Sequence, residues 1–283
     1  MDDLTETRAS WNFATRIHNA HKLDQAAFLR TGSTLFDDEC ALVGDVRGQR
    51  MLHVLCNSGQ DSLSWAKRGA AVTGVDLSDV AIDFATALSA DTGIAARFLR
   101  SEIVDFVSTT DARFDVVFGS YGCLPWIARL DAFFAGVRRV LTPGGRAVFL
   151  EFHPLVWSFD DAFRFCGDAY FATTPFRDPV GDYVGAAAGA LSPSGHRPFA
   201  APANPHPAAA WQHTVADLVT GVAQAGLRLE RLVEYPYANG CKVAPGLVAD
   251  GRRFVVPPGV CAAPLMLGLV ATAPAHAAGS GGG

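Results

Sequence analysis

Met51-Leu52-His53-Val54-Leu55-Cys56-Asn57-Ser58-Gly59-Gln60-Asp61-Ser62-Leu63-Ser64-Trp65-Ala66 is the stretch on which the fold turns. It reads as an apolar strand, a tight turn of small and polar residues, and a helix. A strand that feeds a helix in this way leaves backbone N–H groups and the positive helix end facing whatever lies above the turn, which makes a seat for a nucleotide or cofactor. Beyond the helix, Ala71-Val72-Thr73-Gly74-Val75-Asp76 is a second apolar strand ending in a carboxylate. In a doubly wound sheet that position meets a ribose.

Working outward, the same alternation continues. Ser78 is placed to cap a helix carrying Ala81, Phe84, Ala85 and Leu88, closed near Gly93. Ala95–Leu99 is a short third strand and Phe114–Gly119 a fourth. Ile127, Leu130, Phe134, Val137 and Leu141 recur at helical spacing, with Arg138 and Arg139 in the last turn, and Pro143-Gly144-Gly145 ends the helix before a fifth strand, Arg146–Phe152. Nearly continuous apolar strands alternating with helices imply an α/β, Rossmann-like parallel sheet covered on both faces.

Either side of this unit the pattern changes. Trp11–His21 is a helical segment ahead of the sheet, and 36–46 a further helix or turn beside the first strand. From Val156 to about Ala210 the chain is rich in Pro, Gly, Ala and aromatics and reads as a long lid-like insertion. A helix over Val215–Ala225, a strand at Leu227–Val233 and a last strand at Leu265–Ala271 follow. The expected organisation is a helical N-terminal cap at 1–45, a core at 46–155, an insertion that binds substrate at 156–210, the rest of the core sheet at 211–274 and a Gly-rich disordered tail at 275–283.

Composition narrows the function classes. With 283 residues, 49% apolar and 18% charged, the chain can bury a full core. A net charge of −5 without a basic patch argues against nucleic acid as a partner. No window reaches the ~18 uninterrupted apolar residues of a membrane span, and the acidic start Met1-Asp2-Asp3-Leu4 lacks the features of a signal peptide, so the expected location is the cytoplasm. Cys40, Cys56, Cys123, Cys166, Cys241 and Cys261 show no Cys-x-x-Cys spacing and are expected to be free packing thiols, with no metal site.

The turn after Val54 has neither Gly-x-Gly-x-x-Gly nor Gly-x-x-x-x-Gly-Lys-Ser/Thr, so neither a dinucleotide nor a triphosphate is asked for. Over residues 50–155, and more loosely after 211, the chain instead resembles the class I S-adenosylmethionine-dependent methyltransferases. Gly74-Val75-Asp76 matches that family's ribose-binding motif, Ser101-Glu102-Ile103 the loop beside its adenine, and Val140–Gly145 its turn after the helix. The family's first strand carries an acid and then Gly-x-Gly-x-Gly. Here His53 stands at the acid's place, Leu55 and Asn57 replace two glycines, and only Gly59 remains, as in a divergent small-molecule subgroup built on Cys56-x-x-Gly59-x-Asp61.

The resemblance implies a seven-stranded, mostly parallel sheet with an antiparallel last strand, and S-adenosylmethionine as cofactor, held by Cys56, Asn57, Gly59, Asp61, Asp76, Leu77, Glu102, Ile103 and Ser120. It also implies methyl transfer to a nitrogen or oxygen of a small aromatic or amine-bearing metabolite, by a monomer or homodimer. Because the cofactor supplies the electrophile, the protein has chiefly to position the nucleophile and exclude water. Residues at strand ends, or able to fold over them, are the candidates: His153 and Tyr121 for catalysis, and Trp11, His18, His21, Trp126 and Trp157 for the substrate. Asp61 could equally be a first-turn helix carboxylate, and Glu102 a solvated loop acid. The rival readings are a non-methylating protein of the same fold, with the cofactor in a structural, cyclisation or binding role, and a nicotinamide-dependent oxidoreductase.

Overall fold

The first helices are placed by contacts made far along the chain, in a computed structural model that describes residues 3–160, 164–165 and 169–275. Helices α1 (Asp3–Ala20), α2 (Gln25–Thr31) and α3 (Asp37–Val43) precede β1 (Arg50–Val54). The core then runs α4 (Gln60–Lys67), β2 (Ala71–Asp76), α5 (Asp79–Thr92), β3 (Arg97–Arg100), α6 (Ile103–Thr109), β4 (Phe114–Ser120), α7 (Leu130–Val140) and β5 (Leu141–Phe152). Next come β6 (Phe176–Pro179), α8 (Tyr183–Ala186) and β7 (Pro207–Ala210), followed by α9 (Val215–Gln224), β8 (Arg228–Tyr235), β9 (Tyr237–Asn239), β10 (Val248–Asp250), β11 (Arg253–Val255) and β12 (Met266–Thr272).

Seven strands form one sheet in the order β3-β2-β1-β4-β5-β12-β8. Strands β1 to β5 are parallel, and β12 enters antiparallel between β5 and β8. That is the expected doubly wound sheet with an antiparallel last strand. Its order reverses at β1, so the crevice for a ligand opens above the carboxyl ends of β1 and β4.

Both faces are buried, as the apolar strands require. Leu52, Val54, Val117 and Phe149 pack on one side against Phe133, Phe134, Val137 and Val140 of α7, which come from positions three and four apart. Met51, Val116, Phe118, Val148 and Leu150 point to the other side, against Trp65 of α4. Each of these side chains contributes on the order of 1.5–3 kcal/mol by leaving water. Ser78 caps α5 by accepting from Ala81 N at 3.1 Å, and Gly93 closes it at φ 72°.

The structure departs from the sequence expectations in four places. The segment read as a loop at 101–103 opens a helix, α6, whose N-cap is Glu102. Residues 142–145 do not break the chain between α7 and the strand; they form a register shift inside β5, which pairs Phe114 with Leu141 and Val116 with Arg146. The described part of 156–210, read as a lid-like insertion, carries regular structure of its own: β6 and β7 pair antiparallel and α8 lies between them. Between β8 and β12 a small three-stranded sheet, β10-β11-β9, had no expected counterpart. Among the cysteines, Cys56 and Cys123 are buried packing residues, whereas Cys261 is exposed. Cys166 and the Gly-rich end from 276 lie outside the described residues.

Helix α1 and the insertion form one layer. Ser10 Oγ accepts from Val180 N and from Asn204 Nδ2, both at 3.0 Å, and Thr7 Oγ1 accepts from Ala209 N at 3.1 Å. Asn12 ties the same helix to the start of α5, accepting from Ser78 Oγ at 2.6 Å. No described helix is long and apolar enough to cross a membrane.

Candidate functional site

The turn after β1 keeps a glycine-like backbone without the glycines. Leu55, Asn57 and Gly59 all lie in the left-handed region, at φ 48°, 46° and 76°. A left-handed residue with a Cβ costs about 1–2 kcal/mol, less for asparagine, whose side chain bonds locally. Here Asn57 Oδ1 accepts from Ser58 N at 2.7 Å and from Ser58 Oγ at 3.0 Å. Leu55 is held by packing against the core under the turn. The residues at the places of the motif's glycines thus take left-handed backbone, and the turn presents Leu55, Cys56 and Asn57 to a cavity of about 740 Å³.

Gly59 itself does not line that cavity. A Cβ there would come within 2.7 Å of Ala85 Cβ and 2.8 Å of Phe98 Cζ, so packing beneath the turn explains the glycine rather than close approach to a ligand. Gly74 serves Cys56 in the same way: a Cβ at Gly74 would meet Cys56 Sγ at 2.8 Å. Burial pushes the Cys56 thiol well above its ordinary range, which keeps it a packing group.

Asp76 stands at the end of β2 beside this turn. Its Oδ2 accepts from Asn57 N at 2.8 Å and its Oδ1 from Ser78 N at 2.9 Å. Burial raises its pKa from 3.8 to about 6 against the pull of those backbone donors. Each oxygen keeps a lone pair for further donors, which suits a vicinal diol. Leu77, Glu102 and Ile103 line the cavity next to it. Glu102 caps α6 through Asp105 N at 2.7 Å, so its carboxylate is structural as well as cavity-lining.

His53 lines the cavity with Nδ1 2.7 Å from Ser62 Oγ, and burial lowers its pKa to about 4, so the position is neutral at pH 7. Asp61 lines the cavity too, accepting from Thr34 Oγ1 at 2.5 Å.

At the end of β4, Ser120 and Tyr121 line the cavity. Tyr121 is left-handed at φ 49° and Gly122 follows at φ 85°. Glu151, buried at the end of β5, fixes this bend: its carboxylate accepts from Gly122 N, from Leu124 N at 2.8 Å and from Phe152 N at 2.8 Å. The Tyr121 hydroxyl accepts from Asn239 Nδ2 at 3.0 Å, and burial together with the Glu39 carboxyl pushes its pKa well up, so it remains a phenol.

Part of the cavity lining is aromatic. Trp11 on α1 meets Trp126 edge-on at 5.2 Å between ring centres, and Tyr183 of the insertion lies 6.3 Å from Trp11 and 4.1 Å from His18. Trp157 lines the cavity but is 44% exposed. His18 donates from Nε2 to the carbonyl of Gly181 at 3.0 Å. A carbonyl can only accept, so the lone pair of the neutral ring sits on Nδ1, which has no hydrogen-bond partner. Burial lowers the His18 pKa to about 4.

Besides Gly59, two candidates fall outside the cavity. His21 is bonded at both nitrogens, to Arg197 O at 2.9 Å and Asp182 Oδ2 at 2.7 Å, and stacks on His196 and Phe199. It clasps α1 to the insertion and is not placed to touch a substrate. His153 caps the turn at 154–158, accepting at Nδ1 from Leu155 N at 3.2 Å, while Nε2 faces Glu234 Oε1 at 3.0 Å. With both nitrogens engaged away from the cavity, its geometry is that of a positioning residue. Sequence reading passed over Lys22, Thr34, Tyr183 and Arg252, all cavity-lining. None belongs to a local pattern, since the fold alone gathers them from four separate segments.

Residues 51–145 match the model of a methyltransferase domain family. Demethylmenaquinone methyltransferase of Tropheryma whipplei is 31% identical over 117 residues, which are 41% of this chain and 47% of that protein. The chain therefore spans about half the length of the curated relatives it matches. In three dimensions it resembles an S-adenosylmethionine dependent methyltransferase from Mesorhizobium loti, with a TM-score of 0.54 and 18% identity over 86% of this chain and 99% of that one. It also resembles the [4+2]-cyclase SpnF, with a TM-score of 0.51 and 16% identity over 84% and 79%. The same fold thus serves a differently named reaction. Residues 51–145 thus match a methyltransferase domain family, and the order and direction of the seven strands are those of the S-adenosylmethionine-dependent methyltransferase fold.

Proposed function

We propose that the protein transfers a methyl group from S-adenosylmethionine to an oxygen or nitrogen of a small, largely apolar, aromatic acceptor. The observation that carries this reading is one cavity lined by two unlike sets of residues. One set is the β1 turn, Asp76, Leu77 and Ile103; the other is the aromatic group of Trp11, Trp126, Tyr183 and His18. The first set fits the cofactor, with a two-oxygen acceptor for ribose hydroxyls and apolar Leu77 and Ile103 for a flat base. Bound there, the cofactor supplies an electrophilic methyl group.

The chain's own residues have three tasks. Asp76 and the strained turn fix the cofactor, the aromatic wall orients a planar acceptor and sheds water, and His18 offers the unengaged Nδ1 lone pair to a proton leaving the acceptor. Aromatic faces such as Trp11 and Trp126 also accommodate a cationic amine. Names among the relatives include demethylmenaquinone methyltransferase and ubiquinone biosynthesis O-methyltransferase, which supports an aromatic, apolar acceptor class.

Two measurements test the reading. Calorimetric titration with S-adenosylhomocysteine is expected to show binding, and its absence would sink the cofactor assignment. Transfer of labelled methyl from S-adenosylmethionine across a panel of quinols, phenols and aromatic amines is expected to mark at least one. Cofactor binding with no transfer to any acceptor, together with a product of unchanged methyl count, would favour the non-methylating reading that the cyclase likeness brings forward.

A further inference from the structure

Lys22 follows α1 and lines the cavity, yet its ammonium has neither a hydrogen bond nor an ion pair with any described residue. Withdrawal from water lowers its pKa to about 8, and the opposing charge that acts on it is Asp61. An ammonium drawn partly out of water into a cavity without a partner is costly, and a ligand that supplies the missing anion relieves that cost. Asp61, which lines the same cavity, is anchored by Thr34 and lies in the first turn of α4 directly after the cofactor turn. Its field also reaches His53 and Arg252.

These charges are not arranged for a simple anion, because Asp61 would repel it. They suit a group that carries both signs a few bonds apart. We infer that Lys22 and Asp61 form the seat for a zwitterionic α-amino acid end, Lys22 taking the carboxylate and Asp61 the ammonium. The inference rests on the proposed cofactor, whose methionine portion has this end. It also explains why His53 can be neutral where relatives in the family carry an acid. The negative charge facing the cofactor's amine has moved from the strand to the first turn of the following helix.

The test compares two ligands that share the adenosine and thioether but differ in the amino acid end: S-adenosylhomocysteine and 5′-methylthioadenosine. Calorimetric titration of the full chain is expected to show a preference for S-adenosylhomocysteine. Lys22→Gln and Asp61→Asn should each cut its affinity about 10- to 100-fold, the range of a charged hydrogen bond. Both variants should bind 5′-methylthioadenosine within about twofold of the unaltered protein, which shows an intact pocket. Lys22→Arg, which keeps the charge, should recover part of the loss.

Equal weakening toward both ligands would overturn the inference by reducing the two residues to structural ones. So would unchanged S-adenosylhomocysteine affinity with a raised KM for the methyl acceptor, since the anion would then belong to the acceptor. If the unaltered protein binds neither ligand, the cofactor reading itself falls, a result distinct from either of these.

Discussion

The amide of Asn57 donates to Asp76 Oδ2 at 2.8 Å, so the strained turn after β1 and the carboxylate at the end of β2 are one unit. Asp76 carries a pKa raised to about 6 by burial. A raised carboxyl pKa means that ionising Asp76 costs the ligand-free fold. The corresponding stability is fully present below about 3.8 and is given up as pH rises through about 6. Ligand hydroxyls donating to the carboxylate favour its ionised form. S-Adenosylhomocysteine affinity should therefore be flat between about pH 6 and 8 and fall up to tenfold per unit below about 6, with proton uptake on release there. Titrations in buffers of different ionisation enthalpy check this. Asp76→Ala should weaken binding by about 2 kcal/mol and remove the pH dependence.

Left-handed φ values at Leu55 and Asn57 make a second prediction. Asn57→Ala keeps the Cβ, loses the acceptor for Ser58 N and should destabilise the protein by about 1–2 kcal/mol. Asn57→Gly relieves the backbone and should cost less than half as much. Leu55→Ile introduces a β-branch in the left-handed region and should be the worst of the three. Urea midpoints at constant slope give the order directly, and an Asn57→Gly variant less stable than Asn57→Ala would show that the turn is not held against backbone strain.

Glu151 gives a third. Three backbone N–H groups, of Gly122, Leu124 and Phe152, converge on one buried carboxylate. Glu151→Ala leaves all three without an acceptor and should cost about 3–5 kcal/mol, whereas Glu151→Gln keeps one carbonyl oxygen and should cost roughly half. Because the bend at Tyr121 and Gly122 hangs on this residue, the alanine variant should also raise KM for the acceptor, measured at temperatures where it remains folded.

How much of this was legible in the sequence follows from the range of the forces involved. The sheet declared itself because strands buried on both faces are nearly continuous apolar runs, as in Met51–Leu55 and Val148–Phe152. The cavity-facing ends of those strands, Asn57, Asp76, Ser120 and Tyr121, were legible for the same reason. Helix α6 was not, because Ile103–Thr109 makes fewer than two full turns and its Val and Phe residues suit a strand as well. The pairing of β6 and β7 was not, because what fixes it lies some two hundred residues away, as in the bond from Ala209 N to Thr7 Oγ1. Lys22 was silent for a related reason. A single lysine after a helix is normally solvated, and here the insertion, bridged to Lys22 at His196, half-buries it.

The two histidines His18 and His153 divide the last prediction between them. His153 is occupied at both nitrogens, by Leu155 N and Glu234 Oε1, and does not reach the cavity. His18 spends only Nε2, on Gly181 O, and burial keeps Nδ1 unprotonated down to about pH 4. For an acceptor that loses a proton on methylation, His18→Phe keeps a ring against Tyr183 but removes the lone pair, and kcat should fall about 10²- to 10⁴-fold, the usual contribution of a positioned base. Binding of S-adenosylhomocysteine should stay within about twofold. His153→Ala should lower stability by about 1–2 kcal/mol through the lost cap and leave kcat within about threefold. Single-turnover rates for the two variants decide the assignment: a large loss at His153 and none at His18 would move the base to the end of β5 and require the 154–158 turn to open toward the acceptor.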